Sequence, residues 1–175
     1  MILIYIVILV ILVYGVFFVA QFYNIIFYGY PPFISSSYKN IRKIIEIVKL
    51  RGDETVYELG SGRSRFLRML EKKYPSLKLV GVENLFSIHF PNYLRLKLQG
   101  SKIKLLNKNI FDIDLRQADI IYCYLNNTTM IPLGLKLIAE CRPGTQIISQ
   151  TFTVPQLSPQ KVIEAGGKKI YFYTI

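Results

Sequence analysis

Residues 55–64 read TVYELGSGRS. Thr55 to Leu59 is a short run of β-branched and aromatic residues that favours a strand. Gly60-Ser61-Gly62 cuts it off, and Phe66, Leu67, Leu70 and Tyr74 then recur at helical spacing. A strand that passes through paired glycines into a helix makes a sharp turn. Glycine there lets the backbone approach a ligand closely. Glu58 stands two residues before the first of these glycines.

Downstream, the alternation repeats. Leu77 to Val82 predicts a second strand closed by Glu83-Asn84, and Tyr93 to Gln99 a helix with Pro91 near its start. Ile103 to Leu106 predicts a third strand, and Asp119 to Leu125 (DIIYCYL) a fourth, buried on both faces. Thr128 or Thr129 is expected to cap a helix through Leu137 and Ile138, stopped by Arg142-Pro143-Gly144. Gln146 to Phe152 predicts a fifth strand and Lys169 to Ile175 a sixth. Upstream, Ser35-Ser36-Ser37 offers a helix cap before Ile41, Ile44, Ile45 and Val48, with Gly52 as the stop. Strands alternating with helices predict an α/β, Rossmann-like, mostly parallel sheet covered on both faces. The expectation is that the last hairpin strand of such a sheet is lacking. Ligands of open α/β sheets bind at the carboxyl ends of the strands, so the residues just after strands carry the function.

Residues 1–38 contain no Asp, Glu, Lys, Arg or His, so all 33 Asp, Glu, Lys and Arg fall in the remaining 137 positions. From Met1 to Ala20 the chain reads MILIYIVILVILVYGVFFVA. Twenty helical residues span ~30 Å, the thickness of a bilayer core. A basic leading region and a small-residue cleavage site, the marks of a removed signal peptide, are both missing. The expected organisation is a transmembrane anchor over residues 1–28, a connector over 29–38 and a soluble domain over 39–175. Lys39, Arg42, Lys43, Lys49 and Arg51 follow the span, which predicts a single pass with the domain on the cytoplasmic side. The connector is aromatic and Pro-rich, and about ten residues reach at most ~35 Å.

The net charge of +11 on 20.3 kDa points to an acidic partner. The anchor favours an anionic lipid surface and argues against nucleic acid. Two cysteines, Cys123 and Cys141, and one histidine, His89, exclude a disulfide framework and a histidine-rich metal cluster. No metal site is expected. The cysteines read as core thiols, and His89 as a helix residue rather than a catalyst.

Glu58 before the glycines and Glu83 at the end of the next strand frame a nucleoside pocket. A carboxylate at the second position accepts hydrogen bonds from both ribose hydroxyls. A dinucleotide fingerprint needs a third small residue at position 65, where this chain has Arg65. Acidic-x-Gly-x-Gly instead fits S-adenosylmethionine, whose ammonium favours a carboxylate such as Glu58.

From Pro32 to about Pro155 the chain resembles the class I (seven-β-strand) methyltransferases. More closely, it resembles the lysine methyltransferases of the ATP synthase c subunit and the adenine nucleotide translocase. The resemblance is carried by Pro32-Phe33-Ile34-Ser35-Ser36, Glu58-Leu59-Gly60-Ser61-Gly62, Val82-Glu83-Asn84, Asn109-Ile110-Phe111 and Ser149-Gln150-Thr151-Phe152. It implies that Pro32, Phe33, Glu58, Gly60, Ser61, Gly62, Glu83, Asn84, Asn109 and Ile110 bind S-adenosyl-L-methionine. Two departures stand out. Arg63-Ser64-Arg65 replaces the family's usual Asp-Gly-Arg, and Asn109 replaces an adenine-side Asp.

The expected activity is methyl transfer to a nitrogen, with lysine of a membrane protein as the acceptor. Tyr124 and Asn126, at the end of the fourth strand, are the residues expected to meet it. No Asn-Pro-Pro-aromatic motif is present, since Asn127-Thr128 follow Asn126. Lipid or quinone methylation, and a non-catalytic module that binds cofactor or partner at the membrane, are the alternatives.

Overall fold

The structure is a computed structural model and describes residues 2–28 and 36–175. Two compact units, residues 1–34 and 35–175, make up the chain.

In the first unit, α1 (Ile2–Tyr28) is a 27-residue helix. Its apolar side chains from Ile2 to Val19 are exposed all round. That segment has a mean hydropathy of 3.2, and none of it is buried. Among the described residues α1 is the one helix long and apolar enough to cross a membrane.

The second unit opens with α2 (Tyr38–Ile47). Ser37 caps it, its Oγ accepting from Asn40 N at 3.2 Å. Then follow β1 (Thr55–Leu59), α3 (Arg65–Lys73), β2 (Lys78–Val82), α4 (Phe86–Leu98) and β3 (Lys104–Leu106). A 3-10 turn (Ile110–Asp112) leads to β4 (Ile120–Cys123), α5 (Asn127–Glu140), β5 (Gln146–Gln150), β6 (Lys161–Ala165) and β7 (Lys168–Thr174). The sheet order is β3-β2-β1-β4-β5-β7-β6. β7 runs antiparallel to both its neighbours, and the other pairings are parallel.

The sheet therefore has seven strands, which overturns the expected loss of the last hairpin strand. Gly166 and Gly167, at φ +56° and +69°, form the two-residue turn that pairs Ala165 with Lys168. Positive φ at both positions is the turn that matches strand twist. β6 escapes a reading for apolar alternation because it is an edge strand with mostly exposed side chains.

Two apolar clusters cover the two faces. On one side Ile41, Ile44, Phe66, Leu67, Leu70 and Leu96 of α2, α3 and α4 pack on Val56, Leu79, Ile120, Tyr122 and Ile148. On the other, Met130, Leu133 and Leu137 of α5 pack on Val80, Ile121, Cys123, Ile147 and Tyr173. Neighbouring residues of β4 point to opposite clusters, which is the two-residue period of a strand buried on both faces. α4 starts at Phe86, earlier than Pro91 suggested, with Pro91 inside its second turn. β1 and β4 are parallel neighbours, and the order in which strands are added reverses between them, so the crevice opens where these two strands end.

Candidate active site

Every turn at the carboxyl edge is built around the loop after β1. Gly60 and Gly62 sit at φ +70° and +51°. A Cβ on Gly60 would stand 2.6 Å from Leu125 Cδ2, just past β4, so the two loops that wall the crevice touch at this glycine. Ser61 N donates to Val82 O at 2.8 Å, which straps the loop to the end of β2. Ser64 is the N-cap of α3 and also left-handed, at φ 50°. Its hydroxyl is fully buried and accepts from Asn92 Nδ2 of α4 at 2.8 Å. Ser64 stands where the resembling family's Asp-Gly-Arg has its glycine, and the left-handed backbone explains that preference. Asn92 gave no signal in the sequence, because only the fold brings it to Ser64.

Glu83 is buried, and each of its carboxylate oxygens holds one backbone donor. Gly62 N donates to Oε2 at 3.0 Å and Leu85 N to Oε1 at 2.9 Å. An ionised carboxylate has about four acceptor sites, so capacity remains beyond the backbone donors. Behind it, Asn107 Nδ2 donates to the carbonyls of Glu83 and Asn84 at 2.8 and 3.0 Å and fixes the end of β2. Asn107 was not singled out in the sequence.

Glu58 lies on β1 beneath the start of α3, where its Oε2 accepts from Leu67 N at 3.4 Å. Burial pushes its carboxyl up to about 8. The amides of Leu67 and Phe66 pull the other way, and the charge of Glu83 adds to the rise. Burial also raises Glu83, against the amides of Leu85, Gly62 and Asn84. No cationic side chain forms a salt bridge with either carboxylate among the described residues. A buried acidic pair that lacks a cation, beside a glycine turn, fits a cationic nucleoside.

Asn109 Oδ1 caps the 3-10 turn, accepting from Phe111 N at 3.1 Å, and Ile110 is buried. Pro32 and Phe33 lie outside the described residues.

Tyr124 and Asn126, expected to meet the acceptor, lie just after β4. Tyr124 OH accepts a hydrogen bond from Lys168 Nζ, and that ammonium also lies 4.6 Å from the centre of the Tyr124 ring. Asn126, not Thr128 or Thr129, caps α5: its Oδ1 accepts from Thr129 N at 2.8 Å and Thr128 Oγ1 at 3.1 Å. Deeper in, Tyr122 OH meets Ser36 Oγ at 2.6 Å and donates to Gln150 Oε1 at 3.1 Å. Two polar atoms here are buried without a partner among the described residues, Gln150 Nε2 and Thr151 Oγ1. Thr151 is itself held at φ 75°, a strained conformation for a β-branched residue.

Burial raises the thiols of Cys123 and Cys141 to about 12 and about 11, so both stay protonated. His89 stacks on Tyr93 at 6.0 Å on α4. No cluster of three or more metal-ligating side chains occurs among the described residues.

Known proteins share this arrangement. A protein-lysine N-methyltransferase of Saccharolobus islandicus strain REY15A is 28% identical over 150 residues, covering 82% of this chain and 93% of that one. An RNA methyltransferase from Salinibacter ruber, solved with S-adenosyl-L-homocysteine, superposes with a TM-score of 0.75 at 20% identity, over 81% of this chain and 94% of that one. An S-adenosylmethionine-dependent methyltransferase from Aquifex aeolicus gives 0.64 at 14% identity, over 78% and 89%. At these identities the two structures speak for the fold. The ANTKMT methyltransferase domain model matches residues 58–161, from Glu58 of the cofactor loop to the start of β6. The chain belongs to the ANTKMT methyltransferase domain family and is an S-adenosylmethionine-dependent methyltransferase.

Proposed function

We propose that the chain is a membrane-anchored protein-lysine N-methyltransferase that acts on membrane proteins from the cytoplasmic side. The observation that carries this reading is the presence, in one chain, of the loop–carboxylate constellation and a 27-residue apolar helix. The name of the Saccharolobus relative supports lysine as the acceptor. The basic residues from Lys39 to Arg51 support the sidedness. Anchoring raises the effective concentration of substrates in the same bilayer.

When bound, S-adenosylmethionine supplies a methyl group on a sulfonium, already activated for in-line displacement. The protein's task is alignment and desolvation. Glu83 would hold the ribose hydroxyls with its remaining acceptor capacity. Glu58 balances the ammonium, and Gly60, Ser61 and Gly62 let the backbone come close. Asn84, Asn109 and Ile110 border the adenine. Tyr124 orients the acceptor amine. Asn126 acts through α5, whose first turn it holds. The acceptor amine must lose its proton before it attacks, and desolvation on binding favours the neutral form.

The test is transfer of label from S-adenosylmethionine by the full-length protein to membranes from cells that lack it. The products are split into protein and lipid extracts. Label in a protein band that hydrolyses to methyl-lysine, and that is lost with Gly62→Arg, is the expected result. Label in the lipid extract would transfer the reading to a lipid or quinone acceptor.

A further inference from the structure

We propose that the outer side of α4 is a docking surface for an anionic bilayer, which holds the catalytic domain against the membrane. The proposal deepens the membrane reading above and rests on it. Phe86, Phe90, Leu94 and Leu98 follow at four-residue intervals, and are 63%, 49%, 47% and 80% exposed. The rings of Phe86 and Phe90 stack at 5.5 Å. Tyr93 stands beside them, 41% exposed, with the Lys97 ammonium 5.7 Å from its ring centre. The opposite side of α4 buries Asn92 and Leu96. The helix thus shows apolar side chains both to the sheet and to solvent, and a contiguous exposed apolar ridge marks an interaction surface.

Its border is basic. Arg95 Nη2 donates to Arg63 O at 3.2 Å, and Arg65 Nη1 to Ser36 O at 3.1 Å. Burial, then the charges of Arg68, Arg63 and Arg65, lower the Arg95 guanidinium from its ordinary value against the opposing effect of Tyr38. Four guanidinium groups therefore crowd one flank of α4. Among the described residues no salt bridge engages Arg65, Arg68 or Arg95, and Arg95 Nε is buried without a partner.

An anionic bilayer meets both demands. Its headgroups supply phosphates for the arginines, and its acyl boundary takes Phe and Leu side chains. A second copy of this chain would bring the same arginines to the contact, and like charges across an interface are costly. α1 in the same chain keeps such a surface within reach.

The chain has no tryptophan, so one introduced residue reports alone. Full-length Phe90→Trp, Ile138→Trp on the exposed side of α5, and Phe17→Trp in α1 would be reconstituted in nanodiscs with brominated acyl chains. Phe86→Trp serves as a second α4 probe should Phe90→Trp fold poorly. The expected result is quenching of the α4 probes in phosphatidylglycerol discs, its loss in purely phosphatidylcholine discs or with Arg68→Glu and Lys97→Glu, and unquenched Ile138→Trp. Quenched Phe17→Trp with unquenched α4 probes would overturn the docking surface and leave the anchor standing. Unquenched Phe17→Trp would remove the anchor, and the α4 probes would still decide the surface. An α4 emission that ignores bromolipid but shifts to the blue with rising protein concentration would overturn the proposal in favour of a second copy.

Discussion

Glu83 Oε2 accepts the amide proton of Gly62 at 3.0 Å, so the end of β2 and the glycine loop after β1 form one hydrogen-bonded unit. The carboxylate therefore does two jobs. It fixes the loop, and it keeps acceptor capacity for a ligand. Glu83→Gln replaces one oxygen with a donor, which cannot serve both an amide and a hydroxyl. Hydrogen bonds to charged groups contribute ~1.5–3 kcal/mol, so S-adenosylmethionine affinity should fall about tenfold or more. Titration calorimetry measures it. An unchanged affinity would remove Glu83 from the ribose site.

Ser64 and Asn92 give a reversal of sign. Ser64 occupies a left-handed conformation that costs about 1–2 kcal/mol for a residue with a Cβ. Ser64→Gly relieves it but strips Asn92 Nδ2 of its partner, and Asn92 Oδ1 already has none among the described residues. An unsatisfied buried polar group costs about 1–3 kcal/mol, so the single substitution should destabilise slightly. In an Asn92→Leu background that penalty is gone, and Ser64→Gly should then stabilise by about 1 kcal/mol. Denaturant unfolding of the four proteins gives the cycle.

Much of this was legible in the chain. Strand–glycine–helix at 55–70, Glu83 at the next strand end and the short apolar strands fix the α/β order, because period and punctuation are local. The residues that escaped are those whose role is set by distant partners. Tyr122 reaches Ser36 across 86 positions, and Asn92 reaches Ser64 across 28. Neither pairing leaves a local pattern. β6 escaped for another reason: an edge strand has no buried face to impose alternation, so Ser158-Pro159 before it and Gly166-Gly167 after it bracket a run with no apolar pattern. The cap of α5 was missed by two or three residues because Asn126, Thr128 and Thr129 are all competent caps, and packing chose among them.

Glu58 makes the stability depend on pH. Its folded-state carboxyl titrates near 8 and its ordinary value is 4.5, so between these the folded chain holds a proton that the unfolded chain has released. Stability then falls as pH rises through this window, by at most about 1.4 kcal/mol per unit, and levels off above it. Glu83 is shifted in the same direction and leaves a residual slope. Urea midpoints of the ligand-free protein should therefore be higher at pH 5.5 than at pH 8. Glu58→Gln should flatten the dependence and exceed the wild type at pH 8. A wild-type midpoint that rises over that interval would contradict the buried, protonated carboxyl.

Thr151 separates stability from activity. It sits at φ 75° directly after β5, its N donates to Lys169 O at 2.8 Å, and its buried Oγ1 lies unpaired next to Gln150. Such a conformation costs about 1–3 kcal/mol, and glycine gives back about 0.5–1 kcal/mol through unfolded-chain entropy. Thr151→Gly should therefore stabilise the fold by about 1 kcal/mol. Strain at the edge of β5 is consistent with a role in the acceptor site, where Thr151 Oγ1 and Gln150 Nε2 are the polar atoms left to meet a substrate. If they do meet it, the stabilised variant should lose methyl transfer several-fold in kcat with S-adenosylmethionine affinity unchanged. A stabilised variant with full kcat would make Thr151 a strained turn and nothing more, and would shift the acceptor site toward Tyr124 and Lys168.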